Sequence, residues 1–192
     1  MTAKSFRQLL GVPDSTASPT DSALVIIDAQ NEYASGALTV TNAESSGQVI
    51  ASLLDKYRKA NGKVVHVLHK TPDGAPVFTP NTELAEEFED LKAKDGEEVI
   101  WKVHPGSFAE TRLDEVLKGW DIKKIVLVGY MAHVCVSTTA REGSQKGYEV
   151  VLVEDGIGDR DIPGASGEEV TSMTLKELND VFGTVIKSLD IK

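Results

Sequence analysis

Cysteine occurs once in the 192 residues, at Cys135, so an internal disulfide is excluded and a reducing compartment fits. Aromatic residues are sparse at 6 %, and no apolar run approaches the roughly 20 residues that a membrane-spanning helix needs. Positive charge is also short. Twenty Lys and Arg against thirty Asp and Glu leave a net charge of −10, which argues against nucleic acid or an anionic membrane surface as partner. The opening stretch MTAKSFRQLLGVP lacks a signal peptide's apolar core. The cytoplasm is therefore the expected compartment, although export without a signal peptide would leave no mark in the sequence. No repeat or low-complexity tract is present, and a chain below roughly 250 residues suits one core.

What is present is an alternation of short β-branched runs with longer stretches of helical period, the pattern of βαβ units around a parallel sheet. Six strands are expected: Ala23 to Asp28, Lys63 to His69, Glu98 to Lys102, Lys124 to Gly129, Glu149 to Glu154 and Gly183 to Lys187. Helices are expected from about Ala43 to Ala60, Thr82 to Ala93, Phe108 to Lys118, Val134 to Lys146 and Glu168 to Asp180. Ser107 with Glu110, and Ser166 with Glu169, have capping-box spacing at two of the starts. The expected fold is α/β, a Rossmann-like three-layer αβα sandwich on a six-stranded, mostly parallel sheet. Residues 1–22 read as a loosely ordered lead-in, and residues 23–192 as a single domain.

In open parallel sheets ligands bind beyond the carboxyl ends of the strands. Asp28 ends the first strand, Lys102 ends the third, and Cys135 follows the fourth at a helix start. Right-handed crossovers would place the first and fourth strands side by side, so these ends share one crevice. A helix N-terminus favours thiolate, Lys102 would stabilise that charge, and Asp28 would accept and return the proton. Each residue also has an ordinary use. Cys135 could be a packing unit, Asp28 a turn cap, and Lys102 a snorkelling surface cation.

The segments VIIDAQNEY, WKVHPGSF and GYMAHVCVSTTAR, in that order and approximate spacing, resemble the isochorismatase-like cysteine hydrolases, and EDGIGDRD resembles their loop after the fifth strand. That superfamily includes nicotinamidases and N-carbamoylsarcosine amidohydrolases. The resemblance implies a catalytic triad of Asp28, Lys102 and Cys135, with no cofactor. It implies a small-molecule substrate and a homo-oligomer, dimer or tetramer. It also implies a non-proline cis peptide between Met131 and Ala132, with the N–H groups of Ala132 and Cys135 forming an oxyanion hole.

Two departures from the amide hydrolases of this family stand out. Ala132 replaces their usual threonine, and His133 replaces an acidic or amide residue; this Ala-His pair is similar to isochorismatases proper, which typically carry glycine where this chain has Cys135. The leading expectation is hydrolysis of a small amide or related C–N bond through a thioester on Cys135. The alternative is isochorismate hydrolysis with Asp28 as general acid, and a binding module without turnover is a third reading. No metal site is expected, because His66 and His69 lie three apart on a strand and point to opposite faces. His69 ends its strand and is expected to line the pocket, whereas His66 is expected to be structural. Tyr33, Phe108, Tyr130 and His133 are the other expected substrate contacts, and Trp101 is expected to face a helix.

Overall fold

The computed structural model describes residues 3–192. The strands are β1 (Ala23–Ile27), β2 (Lys63–His69), β3 (Glu98–Lys102), β4 (Lys124–Gly129), β5 (Glu149–Ile157) and β6 (Thr184–Ile186). They form one sheet in the order β3-β2-β1-β4-β5-β6, and every pairing in it is parallel. All five residues of β1 are buried, as its unbroken apolar run requires of a strand covered on both faces.

The sheet's two faces carry separate cores. Val25, Ile27, Val65 and Leu127 pack with Leu113 and Leu117 of α4 (Leu113–Gly119), Ala140 of α5 (Ser137–Gln145) and Leu178 of α6 (Gly167–Val181). Leu24, Ile26, Val126 and Val151 pack instead with Ile50, Leu53, Leu54 and Tyr57 of α3 (Ala43–Lys59). Those α3 residues fall at i, i+3, i+4 and i+7, the spacing that lines one helix face. Two single-turn helices, α1 (Phe6–Leu9) and α2 (Glu32–Ser35), complete the set. The three-layer αβα architecture is thus as the sequence implies, with β1 and β4 adjacent at the point where strand order reverses. Gly129 ends β4 at φ 111°, where a Cβ would run into the Ile27 carbonyl, so the close approach of the two central strands needs glycine there.

Several expectations need correction. Thr82 to Ala93 is not a helix but two 3₁₀ turns, Glu83–Ala85 and Glu89–Leu91. Its backbone is spent on the end of β1, with Asn31 N–H donating to Glu86 O, Phe88 N–H to Ala29 O, and a bridge between Gln30 and Glu87. The helix expected from Phe108 begins only at Leu113. Ser107 Oγ is taken by Thr139 (2.8 Å) and Glu110 sits at φ 54°, so that capping box does not form. The box of Ser166 and Glu169 does form and starts α6.

The lead-in is not a free tail. Arg7 donates to Gly183 O and Thr184 Oγ1, Ser15 N–H donates to Thr184 Oγ1 (2.9 Å), and Ala17 O receives Lys192 N–H (2.9 Å). Trp101 is 49 % exposed on the edge strand β3 rather than covered by a helix.

Candidate active site

β1 ends at Ile27 and hands the chain to Asp28, which sits at φ 50° with its carboxyl fully buried. A left-handed conformation costs an L-residue about 1 kcal/mol or more, and such strain gathers at functional sites. The turn is held by Asp28 N–H to Val67 O (2.8 Å) and Gln30 N–H to Asp28 O (2.7 Å). Lys102, the last residue of β3, reaches across β2 with its side chain wholly buried, and its Nζ lies 2.7 Å from Asp28 Oδ2. The same Nζ donates to Cys135 Sγ (3.4 Å) and His104 O (3.2 Å), and lies 3.3 Å from His69 Nδ1. Asp28, Lys102 and Cys135 therefore converge.

The turn carrying Cys135 is a π-helical turn, Ala132–Val136, that runs directly into α5. It is pinned from three sides. Ala132 N–H donates to Gly158 O (2.9 Å), His133 N–H donates to Asp159 Oδ2 (2.9 Å), and Cys135 O accepts from Thr139 Oγ1 (2.7 Å). Ser107 N–H also donates to Thr139 Oγ1 (3.1 Å), which ties the loop after β3 to the same turn.

Two details differ from expectation. The cis peptide joins Tyr130 to Met131, one bond before the expected place. Because Ala132 N–H is already spent on Gly158 O, Ala132 is not an open oxyanion donor. Among the described residues the N–H of Cys135 makes no hydrogen bond outside its own turn.

The electrostatics also correct the sequence picture of a thiolate. Burial, and then the Asp28 charge, push the Cys135 thiol up, and Lys102 does not offset them. Burial likewise pushes the Asp28 carboxyl up, against the lowering effect of Lys102. For Lys102 burial opposes the charged form, but Asp28 and Cys135 outweigh it and raise its pKa. An ammonium, a carboxylate and a thiol sum to zero charge. A thiolate beside the carboxylate would add a bare negative charge in a dry site, whereas moving the thiol proton onto Asp28 leaves the sum unchanged. The helix-end effect loses to desolvation here.

His69 is held by Gln30, which is fully buried and spans the gap between β1 and β2. Gln30 Nε2 donates to His69 O (2.9 Å) and to Ala85 O (2.8 Å), while its Oε1 accepts from His69 N–H (2.8 Å). Burial and then Lys102 lower the His69 pKa to about 4, so the ring is neutral near pH 7. His66 is structural, as expected: its ring nitrogens face Glu87 (2.6 Å) and Glu97 (3.1 Å). The two histidines thus serve different partners, and among the described residues no three His, Cys, Asp or Glu side chains group as a metal site.

The expected substrate contacts divide. Tyr33 is 2 % exposed, with its ring against Phe78 (centroids 5.2 Å) and Tyr130 (5.6 Å). Tyr130 is fully buried, and its hydroxyl pairs with Ser46 Oγ (2.7 Å), so it belongs to the core under α3 rather than to a pocket wall. Phe108 stacks on Tyr148 (5.7 Å), a packing role. His133 keeps a third of its side chain exposed, with Nδ1 2.6 Å from the buried Asp159. A cavity of about 450 Å³ is bounded by His69, Phe78 and Trp101 among others.

Sequence reading missed Glu32, Phe78 and Asp159. Glu32 is fully buried and accepts Phe78 N–H (3.0 Å) and Leu38 N–H (3.2 Å), which sets Phe78 at φ 47° between Tyr33 and His69. The available signals were a carboxylate inside DAQNEY and an aromatic residue in a loop after a strand, both common in ordinary loops.

Residues 22–190 match the family profile described as Isochorismatase domain. The chain is 59 % identical to a secreted isochorismatase effector of Verticillium dahliae, over 97 % of this chain and 98 % of that protein. A streptothricin hydrolase of Streptomyces noursei is 31 % identical over 76 % of this chain and 57 % of its own length. Among solved structures, an isochorismatase from Pseudomonas putida superposes with a TM-score of 0.95 at 30 % identity, covering 100 % of both chains.

Proposed function

The chain belongs to the isochorismatase family and is a hydrolase, and from that membership we propose that it hydrolyses the vinyl ether of isochorismate, with Asp28 as general acid. The observation that carries this reading is the fully buried Asp28 carboxyl, raised by desolvation toward its protonated form inside a neutral cluster. Vinyl ether hydrolysis begins with proton delivery to carbon, which a carboxylic acid of raised pKa suits. Asp28 gives its proton to the substrate's methylene carbon, leaving an oxocarbenium ion. Water adds to that cation and returns a proton to Asp28. The hemiketal then collapses to pyruvate and 2,3-dihydro-2,3-dihydroxybenzoate. Lys102 stabilises the carboxylate that Asp28 becomes between giving its proton to carbon and regaining one from water, and Cys135 makes no bond to substrate. No step needs an oxyanion hole, in keeping with the occupied N–H of Ala132.

A second reading has its own support. Cys135 Sγ lies 3.4 Å from Lys102 Nζ, and a streptothricin hydrolase is among the relatives. In that route Cys135 attacks an amide carbonyl while Asp28 takes its proton and hands it to the leaving amine; water then releases the thioester. A substrate panel separates the two. The purified chain is expected to release pyruvate from isochorismate and little ammonia or amine from small amides. Amide turnover without pyruvate release would reverse the order of the readings.

A further inference from the structure

We propose that the buried pair His66 and Glu87 is a positioning device for Asp28: it staples the strap of residues 82–93 to the sheet, and the strap fixes the turn on which Asp28 stands. The inference goes beyond the reading above and does not depend on it, since Asp28 moves a proton in either route.

The staple follows from the hydrogen-bond geometry. His66 is fully buried in β2, with Nδ1 2.6 Å from Glu87 Oε1 and Nε2 3.1 Å from Glu97 Oε2. Arg58 donates to both Glu97 oxygens (2.7 and 2.8 Å) and Lys94 N–H to one (2.7 Å), which keeps Glu97 an ionised acceptor with a pKa of about 2. The Nε2 proton of His66 therefore goes to Glu97. A neutral imidazole has no second proton, and two bare lone pairs 2.6 Å apart would repel. A further proton thus lies between Nδ1 and Glu87, making that contact a charge-assisted bond in a nearly dry setting. The other Glu87 oxygen accepts Ala93 N–H (3.3 Å), inside the strap itself, so among the described residues His66 is what ties this carboxylate to the sheet.

The strap lies along the residues that follow Asp28. Phe88 N–H donates to Ala29 O (2.9 Å), Asn31 N–H donates to Glu86 O (2.8 Å), and Gln30 forms an antiparallel bridge with Glu87. Side chains add to this, because Asn31 Nδ2 donates to Glu83 O (2.9 Å) and Gln30 Nε2 to Ala85 O (2.8 Å). All of these bonds fall on residues 29–31, immediately after a residue at φ 50°. A left-handed aspartate persists only where its surroundings over-determine it. Val67 O holds the Asp28 N–H from β2, and the strap holds the chain just beyond. Gln30 carries the same hold to His69, whose Nδ1 faces Lys102. The strap's own structure is two 3₁₀ turns, too short to fix its place, so its position depends on the staple.

The test uses the full chain and three variants. Glu87→Ala cuts the staple. Glu87→Gln keeps it, because an amide N–H can donate to Nδ1 of a neutral His66 without the further proton. Leu54→Ala, in the core under α3, is the stability control. On isochorismate, Glu87→Ala is expected to lose roughly tenfold to a hundredfold in kcat with KM changed less than about threefold, and Glu87→Gln to recover most of that loss. Leu54→Ala should keep kcat within about threefold even where its melting temperature falls as far. Hydrogen exchange followed by mass spectrometry should rise at least about tenfold in residues 28–36 as well as in the strap of Glu87→Ala, and return toward wild type in Glu87→Gln. If Glu87→Ala does not fold, Glu87→Asp, which withdraws the carboxylate by one methylene, takes its place with losses of about threefold or more. Wild-type kcat in the cut variant, an equal loss in Leu54→Ala, or exchange that rises in the strap but not in residues 28–36 would overturn the proposal. Absence of isochorismate turnover in wild type removes the substrate reading alone, and the exchange pattern with its recovery in Glu87→Gln then decides the staple.

Discussion

Asp28 and Cys135 show desolvation acting on two acids that share one cation, Lys102. Sequence position placed both at strand ends and suggested an activated thiolate. Desolvation reverses the second part, because a dry cluster already holding the Asp28 carboxylate keeps the proton on sulfur. Iodoacetamide should therefore alkylate Cys135 in the free protein at pH 7.5 at least about tenfold more slowly than it alkylates glutathione, as mass spectrometry over time would show. Faster alkylation than glutathione would mean a resting thiolate. The residues of the site were legible where side-chain chemistry is rare and position telling: Asp28, Lys102 and Cys135 each follow an apolar run. Glu32, Phe78 and Asp159 were not, since their roles depend on contacts such as Phe78 N–H to Glu32, 46 residues apart in sequence.

At the scale of elements, the six strands were readable because strands buried on both faces leave unbroken apolar runs. The segment from Thr82 to Ala93 was not, because a helical apolar period there loses to long-range pairing with the end of β1. That strap is fastened beneath by charge. Glu97 accepts from Arg58 Nε (2.7 Å) and from Lys94 N–H (2.7 Å), and His66 links it to Glu87 within the strap. Burial opposes ionisation of Glu97, but Arg58 and the Lys94 amide prevail and bring its pKa from 4.5 to about 2. A depressed carboxylate pKa adds stability above about pH 4.5, and that contribution fades as the pH falls through about 2. Glu97→Gln should accordingly cost on the order of 2 kcal/mol at pH 7, a figure discounted because the side chain keeps some solvent exposure. Urea melts of variant and wild type should converge as the pH approaches 2. A constant gap across that range would mean that Glu97 acts by packing rather than by charge.

For the whole molecule, the sheet order brings the ends of β1, β3 and β4 to one edge, and the lead-in and C-terminus close the opposite flank around β6. No helix among the described residues is long and apolar enough to cross a membrane. The cytoplasm and a dimeric or tetrameric state remain our proposals for this chain, while its Verticillium relative is described as secreted. What unites the molecule is the convergence of Asp28, Lys102 and Cys135 from three segments distant in sequence. The most direct test is isochorismate turnover by Asp28→Asn and Cys135→Ala, each confirmed folded. The account predicts a loss of about a thousandfold or more in kcat for Asp28→Asn and less than about tenfold for Cys135→Ala. Comparable losses in both would contradict it and make the thiol an obligatory participant.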